Sequence, residues 1–305
     1  MKHRLAWLRH CSSTGKGGSR LTPKADSTSE EPDLLVAARL PCLATQRPAP
    51  AATKATVVEM LKAHGVETIF GLCGDTSLPF YDALARLPHG MRHILTRDER
   101  HAAYMADGYA RVTGKVGVCM GTSGPGATNL VTGIATAQLD SVPMVAITGN
   151  VPGALIGKDA FQEIDITGIT LPMTKHNYLV RTADEIPHAI AEAFYIARTG
   201  RPGPVHVDIT KDALQGETKA PHPTLEQIEA GLPGFKPNLD GHPRQLKVAA
   251  AEIVASKRPI LLAGHGVLHA HAEAELLALA EKAQVPVAWT LLGIGVIDET
   301  HPLAY

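Results

Sequence analysis

Val116-Gly117-Val118-Cys119-Met120-Gly121-Thr122-Ser123-Gly124-Pro125-Gly126-Ala127-Thr128-Asn129-Leu130 is the stretch from which the fold is read. Val116–Met120 is short and almost wholly apolar, as a parallel strand covered on both faces requires. A glycine-rich turn follows, and Ala127–Gln138 then takes a helical pattern. Met144–Thr148 is a second apolar run of the same kind. Further outward, β-like runs fall at Thr68–Leu72, His93–Thr96 and Val205–Ile209, and helical segments at Leu78–Arg86, Glu99–Thr113 and Ile186–Thr199. Strands alternating with helices at this spacing imply βαβ units, hence an α/β fold with a parallel sheet flanked by helices. Regular structure is expected from about Thr53, where Val57, Val58 and Leu61 repeat at helical spacing and Gly65 stops the helix.

The 305 residues are 45% apolar, 19% charged and 4% aromatic, the composition of a soluble globular protein. A formal net charge of -1 provides no basic field for nucleic acid. Apolar runs are broken by Gly, Pro or charge before the ~20 residues that a bilayer requires, so no membrane span is expected. Cys11, Cys42, Cys73 and Cys119 form no C-x-x-C pair, which argues against a zinc site or a disulfide framework. Residues 1–52 lack any sustained period, and 1–25 hold Lys2, Arg4, Arg9, Lys16, Arg20 and Lys24 with no acid before Asp26. Such a leader reads as a segment that does not pack or as an organellar transit peptide. The corresponding location is cytoplasmic, or organellar if the leader is a transit peptide.

Residues 53–218 form the first domain. Residues 219–243, with five prolines between Pro221 and Pro243, read as a linker. A second α/β unit is expected over 244–305: helix Leu246–Ala255, strand Ile260–Ala263, helix Ala272–Ala283 and strand Val285–Thr290. Two strands and two helices cannot cover a sheet and its edges. The sequence is therefore expected to hold only part of this domain.

Ligands of parallel α/β sheets bind at the carboxyl ends of strands. Three such ends carry candidate residues. Cys73-Gly74-Asp75-Thr76-Ser77 leads from a strand into a helix, and its polar residues either meet a ligand or cap that helix. Gly121–Asn129 is neither a Walker A loop nor the dinucleotide G-x-G-x-x-G, since Asn129 stands at the last glycine. Thr96-Arg97-Asp98-Glu99 sets carboxylates at a helix start, where either can serve the helix dipole or a site.

Together these loops resemble a known family. Arg97-Asp98-Glu99-Arg100-His101-Ala102-Ala103-Tyr104-Met105-Ala106-Asp107-Gly108-Tyr109-Ala110-Arg111, followed by Thr122–Leu130, is similar to the pyrimidine-binding domain of thiamine diphosphate enzymes. Asp140–Gly149, Asp159-Ala160-Phe161-Gln162-Glu163, Thr174–Tyr178 and Arg201–Val205 resemble the acetolactate synthase large (catalytic) subunit family. The resemblance spans about Thr53–Tyr305.

The resemblance implies a carboligase that decarboxylates one 2-ketoacid, such as pyruvate, and joins the product to a second, in branched-chain amino acid biosynthesis. Other thiamine diphosphate enzymes (pyruvate oxidase, 2-ketoacid decarboxylase) and a non-catalytic dimerising fragment are the alternatives. Glu99 is implied as the catalytic carboxyl on the pyrimidine ring, where it promotes removal of the cofactor's C2 proton. Gln162 is implied beside the cofactor, and Phe161 and Lys211 beside the substrate. Ser141, Arg201, Gly264, Gly266, Thr290 and Leu291 match positions lining FAD in relatives that carry it. Mg²⁺ and diphosphate ligands belong to a further domain whose Gly-Asp-Gly…Asn-Asn motif is not found in these residues. Little binding of thiamine diphosphate is therefore expected of this chain alone. A homodimer or homotetramer, with a small regulatory subunit as a further partner, is implied as well. The sequence departs from the family pattern at Cys73-Gly74-Asp75-Thr76, where Pro-Gly-Gly-Ala is usual, at Arg97-Asp98-Glu99-Arg100, at Asn150 and at His265.

Overall fold

The computed structural model describes residues 56–305. The leader, with Cys11 and Cys42, lies outside the described residues. The chain first runs through α1 (Thr56–Ala63), β1 (Thr68–Gly71), α2 (Leu78–Arg86), β2 (Arg92–Leu95), α3 (Glu99–Thr113), β3 (Gly117–Gly121), α4 (Pro125–Asp140) and β4 (Met144–Asn150). It continues through α5 (Ile166–Thr170), β5 (His176–Val180), α6 (Ile186–Arg198), β6 (Pro204–Thr210), α7 (Lys211–Gln215) and α8 (Leu225–Gly231). The six strands form one sheet in the order β2-β1-β3-β4-β6-β5, and every pairing is parallel.

Alternation along the central strands supplies two cores. Val118, Met120, Val145, Ile147, Val205 and Val207 face α1, α2 and α6 in one cluster. Cys119, Met144 and Ala146 face α3 and α4 in the other. β3, β4 and β6 are buried along their whole length; β3 and β4 read as near-continuous apolar runs for that reason, while β6 carries buried His206 and Asp208. The second face is built from small residues. Ala102, Ala103, Ala106 and Ala110 line α3, and a Cβ on Gly133 of α4 would stand 2.4 Å from Ala103 Cβ. Only glycine permits these two helices to approach so closely.

β5 was not expected from the sequence. It is an edge strand with a mostly half-buried pattern, and it lacks the apolar run that marks β3 and β4. Inside the stretch read as a linker, Thr224 and Gln227 form a capping box that starts α8, and Ile228 is buried in the first core. At least part of residues 219–243 thus belongs to the first body.

Beyond it lie α9 (Pro243–Ala255), β7 (Leu261–Ala263), α10 (His265–His269), α11 (Glu273–Ala283) and β8 (Val287–Trp289). β7 and β8 pair in parallel, and Val287 forms a further bridge to Ala304. The buried cluster here is small: Ala263, Ala280, Val287, Val296 and Ile297. α9 has no buried residue, and its Leu246, Val248 and Val254 face solvent. Among the described residues, no helix is long and apolar enough to cross a membrane.

Candidate active site

The strand order reverses at β1, which has β2 on one side and β3 on the other. Loops leaving the carboxyl ends of strands at such a point open a crevice, the preferred ligand position of parallel sheets. Here the two loops are 72–77 and 122–124. They are locked together: Thr76 Oγ1 lies 2.8 Å from Thr122 Oγ1, accepts from Ser123 N at 3.0 Å and donates to Gly149 O at 2.7 Å. One buried hydroxyl therefore ties β1, β3 and β4 at their ends. The glycines make room for it. A Cβ on Gly74 would fall 2.4 Å from Thr122 Cβ, and one on Gly149 would fall 2.8 Å from the Thr76 carbonyl carbon.

Glu99 is the first residue of α3 and is only 6% exposed. Its Oε2 accepts from Asn129 Nδ2 of α4 at 3.0 Å. Its Oε1 looks toward Gly126, where a Cβ would stand 3.1 Å from it and 2.6 Å from Thr122 Cγ2. Only glycine fits between this buried carboxyl and Thr122, and a carboxyl held in this way suits the edge of a flat heterocycle such as an aminopyrimidine. Ser123 Oγ and Thr96 Oγ1 are buried without a protein partner. Asp98 has the other task considered for this pair. It is the N-cap, accepting from Arg100 N at 2.8 Å, and hydrogen bonds from Arg100 hold its carboxyl down at about 2.

The remaining residues fall into three places. The backbone of Gln162, at φ 59°, passes the turn at Gly124, where a Cβ would meet Gln162 O at 2.6 Å. Phe161 beside it is 87% exposed and belongs to neither core cluster of this domain. Lys211 starts α7 just beyond β6, and its Nζ stands 3.0 and 2.9 Å from the two carboxylate oxygens of Asp75.

A separate group gathers around Ser141, the left-handed C-cap of α4. Arg201 Nε donates to Ser141 Oγ at 2.7 Å and Arg201 NH2 to Leu139 O at 3.2 Å. His265 Nδ1 lies 3.2 Å from Asp140 O, which brings the Gly264–Gly266 turn beside Ser141. A Cβ on Gly264 would be 3.9 Å from Thr290 Oγ1, and a Cβ on Gly266 would meet nothing within 4 Å. Leu291 is 82% exposed. Among the described residues, no three His, Cys, Asp or Glu side chains gather as a metal site.

Sequence reasoning missed Asn129 and Thr76 as site residues. Asn129 left a signal, an amide one turn into a helix whose neighbours Gly126, Leu130 and Gly133 are buried. Thr76 stood in a loop already marked as a candidate, but the cap was its default reading, because a hydroxyl at a strand end reads first as a helix cap.

Residues 52–169 match the thiamine pyrophosphate enzyme N-terminal TPP binding domain, and residues 246–305 match the thiamine pyrophosphate enzyme central domain. The chain belongs to the thiamine pyrophosphate enzyme family. It is 53% identical over 251 residues to a probable acetolactate synthase large subunit of Methanocaldococcus jannaschii, an alignment covering 81% of this chain and 42% of that relative. It is 50% identical over 250 residues to an acetolactate synthase of Arthrospira platensis, covering 81% of this chain and 43% of the relative. With an acetolactate synthase of Mycobacterium bovis the identity is 52% over 245 residues, covering 80% and 39%. The chain thus spans about two fifths of the length of these relatives. In the family's terms, the crevice at Glu99 belongs to its N-terminal TPP binding domain.

Proposed function

We propose that this chain forms the pyrimidine-side wall of an acetolactate synthase: a carboligase that converts two molecules of a 2-ketoacid such as pyruvate into a 2-hydroxy-2-methyl-3-ketoacid and CO₂. The observation that carries the reading is Glu99, a buried carboxyl held by Asn129 and packed against Gly126. Thiamine diphosphate, when bound, supplies the electron sink that makes loss of CO₂ from a 2-ketoacid feasible. Glu99 Oε1 holds a proton at a ring nitrogen of the pyrimidine, while Asn129 fixes Oε2 so that the carboxyl cannot turn away. Thr76 and Thr122 keep the wall rigid. Gln162 and Phe161 border it, and Lys211 stands at its rim.

In this reading Mg²⁺ and the diphosphate are held by a further domain of the enzyme, reached across a homodimer or homotetramer. Ser141, Arg201, Gly264, Gly266, Thr290 and Leu291 line an FAD site. The Ser141–Arg201 bond and the open space beside Gly266, in the first turn of α10, support this, because a glycine there leaves room for backbone approach. A small regulatory subunit is a further partner, and the location is cytoplasmic or organellar.

The test is stoichiometry. An enzyme carrying this chain, supplied with thiamine diphosphate, Mg²⁺ and FAD, should release one CO₂ for every two pyruvates consumed and form acetolactate. One CO₂ per pyruvate with free aldehyde would instead identify a decarboxylase. A requirement for an oxidant would identify an oxidase.

A further inference from the structure

We propose that Asp75 is a specificity-determining residue, which by holding Lys211 favours short 2-ketoacids with one carboxylate over those carrying a second. The inference rests on the reading of this crevice as a 2-ketoacid site.

Asp75 follows β1 and Lys211 follows β6, so both stand at the carboxyl ends of the strands. The two oxygens of Asp75 lie 3.0 and 2.9 Å from Lys211 Nζ. Asp212, the adjacent acid, is engaged elsewhere: its Oδ1 accepts from Gly153 N at 3.0 Å and from Ala213 N at 3.2 Å. Asp75 is therefore the counter-ion of Lys211. The pair is coupled to the reacting centre through packed neighbours. Thr76 follows Asp75 and bonds Thr122, whose methyl faces Gly126 opposite Glu99.

The lysine side chain is 25% exposed and the aspartate 65%. The lysine side chain is thus the more covered member, and removing Asp75 would leave an unpaired cation on the rim. Such a cation attracts any carboxylate. Paired with Asp75, it presents little net charge. A substrate with a second carboxylate must then displace Asp75 and rest beside its negative charge. A donor ketoacid whose only carboxylate is the one being lost brings just an apolar tail to the rim, so the discrimination acts on the donor and not on the acceptor, which keeps its carboxylate. This repulsive element gives discrimination without a new attractive contact.

The experiment compares wild type, Asp75→Asn, Lys211→Met and the double variant in an enzyme carrying this chain. Pyruvate is the substrate, and 2-oxoglutarate is offered as alternative substrate and inhibitor. Asp75→Asn should strengthen 2-oxoglutarate binding relative to pyruvate by about threefold or more, the scale of one exposed charge contact. The double variant should lose that gain. An unchanged ratio in Asp75→Asn, or a gain that survives Lys211→Met, overturns the proposal. A second arm follows the Lys211 ammonium by NMR in an enzyme carrying this chain, titrated with 2-oxoglutarate and pyruvate. Asp75→Asn should bring the 2-oxoglutarate response to lower concentration and leave pyruvate less affected. Equal responses in both proteins overturn the proposal too. That arm needs no turnover, so an enzyme that fails to make acetolactate defeats the site reading separately.

Discussion

Replacing Asp208 by Asn should change how the stability of this protein depends on pH. Asp208 lies on β6 and is 1% exposed. It accepts from Thr148 Oγ1 and from Asn150 Nδ2, both at 2.5 Å. Burial pushes its carboxyl up from the ordinary 3.8 to about 7; the two hydrogen bonds pull it down, and Asp165 adds a push upward. His206 beside it cannot supply a positive charge, because burial holds its imidazole down at about 3. A raised folded-state value means that the folded protein binds this proton more tightly than the unfolded chain does. The contribution is fully present below 3.8 and is lost as pH rises through about 7. At 1.36 kcal/mol per pH unit the whole swing is about 4 kcal/mol, of which roughly half falls between pH 5 and 7. Urea unfolding at several pH values, wild type against Asp208→Asn, isolates this one group. The difference in unfolding free energy should slope across that window and flatten above it. Parallel curves from pH 5 to 7 would refute the burial argument. If the Asn variant does not fold, a ¹³C carboxyl titration of Asp208 in the wild type reads the same quantity.

Three further outcomes are expected. In an enzyme carrying this chain, Glu99→Gln should slow C2 H/D exchange of bound thiamine diphosphate by about 10²–10⁴-fold, the worth of a positioned acid–base group; an unchanged rate would leave Glu99 as a helix-start residue only. Gly149→Ala should cost about 1–3 kcal/mol in urea unfolding, because its Cβ would stand 2.8 Å from the Thr76 backbone, which has no side-chain freedom to yield. Ile228→Ala should cost about 2–5 kcal/mol, as for other buried aliphatics, if α8 is part of the first body. A change within ~0.5 kcal/mol would restore 219–243 as a linker.

In the middle of the sheet legibility followed burial, while the edge strand β2 was readable although it is more exposed than β5. β3 and β4 were readable because both faces are covered and every residue is buried. α2 and α3 were placed at their observed bounds, Leu78–Arg86 and Glu99–Thr113, since Ser77 and Asp98 precede them and Gly114 ends the second in a left-handed turn. β5 and α8 were missed for the complementary reason: an edge strand and a short helix in a proline-rich stretch make their contacts through a few residues, such as Val180 and Ile228. The α10 helix was read as a turn, because two glycines flank His265 and its five residues are too few for a helical period. At the site, the loops were legible and their coupling was not. Thr76, Thr122 and Gly149 meet only after the sheet has set β1, β3 and β4 side by side.

The two adjacent acids at the start of α3 show why residue type alone left their roles open. Asp98 and Glu99 carry the same group one residue apart. A helix start separates them, because the cap residue keeps an extended backbone, here φ -157° and ψ 138°, while the next residue turns with the helix. The shorter side chain at the cap reaches back to the N–H of Arg100, stays in water and remains ionised. The longer one is carried inward onto the face that holds Ala102, Ala103 and Ala106, and it arrives beneath the turn at Gly126. Capping by Asp98 thereby frees Glu99 from any duty to its own helix. Its remaining protein partner comes from α4 through Asn129, so its position depends on the α3–α4 contact at Gly133 and Ala103. The small residues that let those helices touch are, on this argument, as much a part of the site as the carboxyl itself.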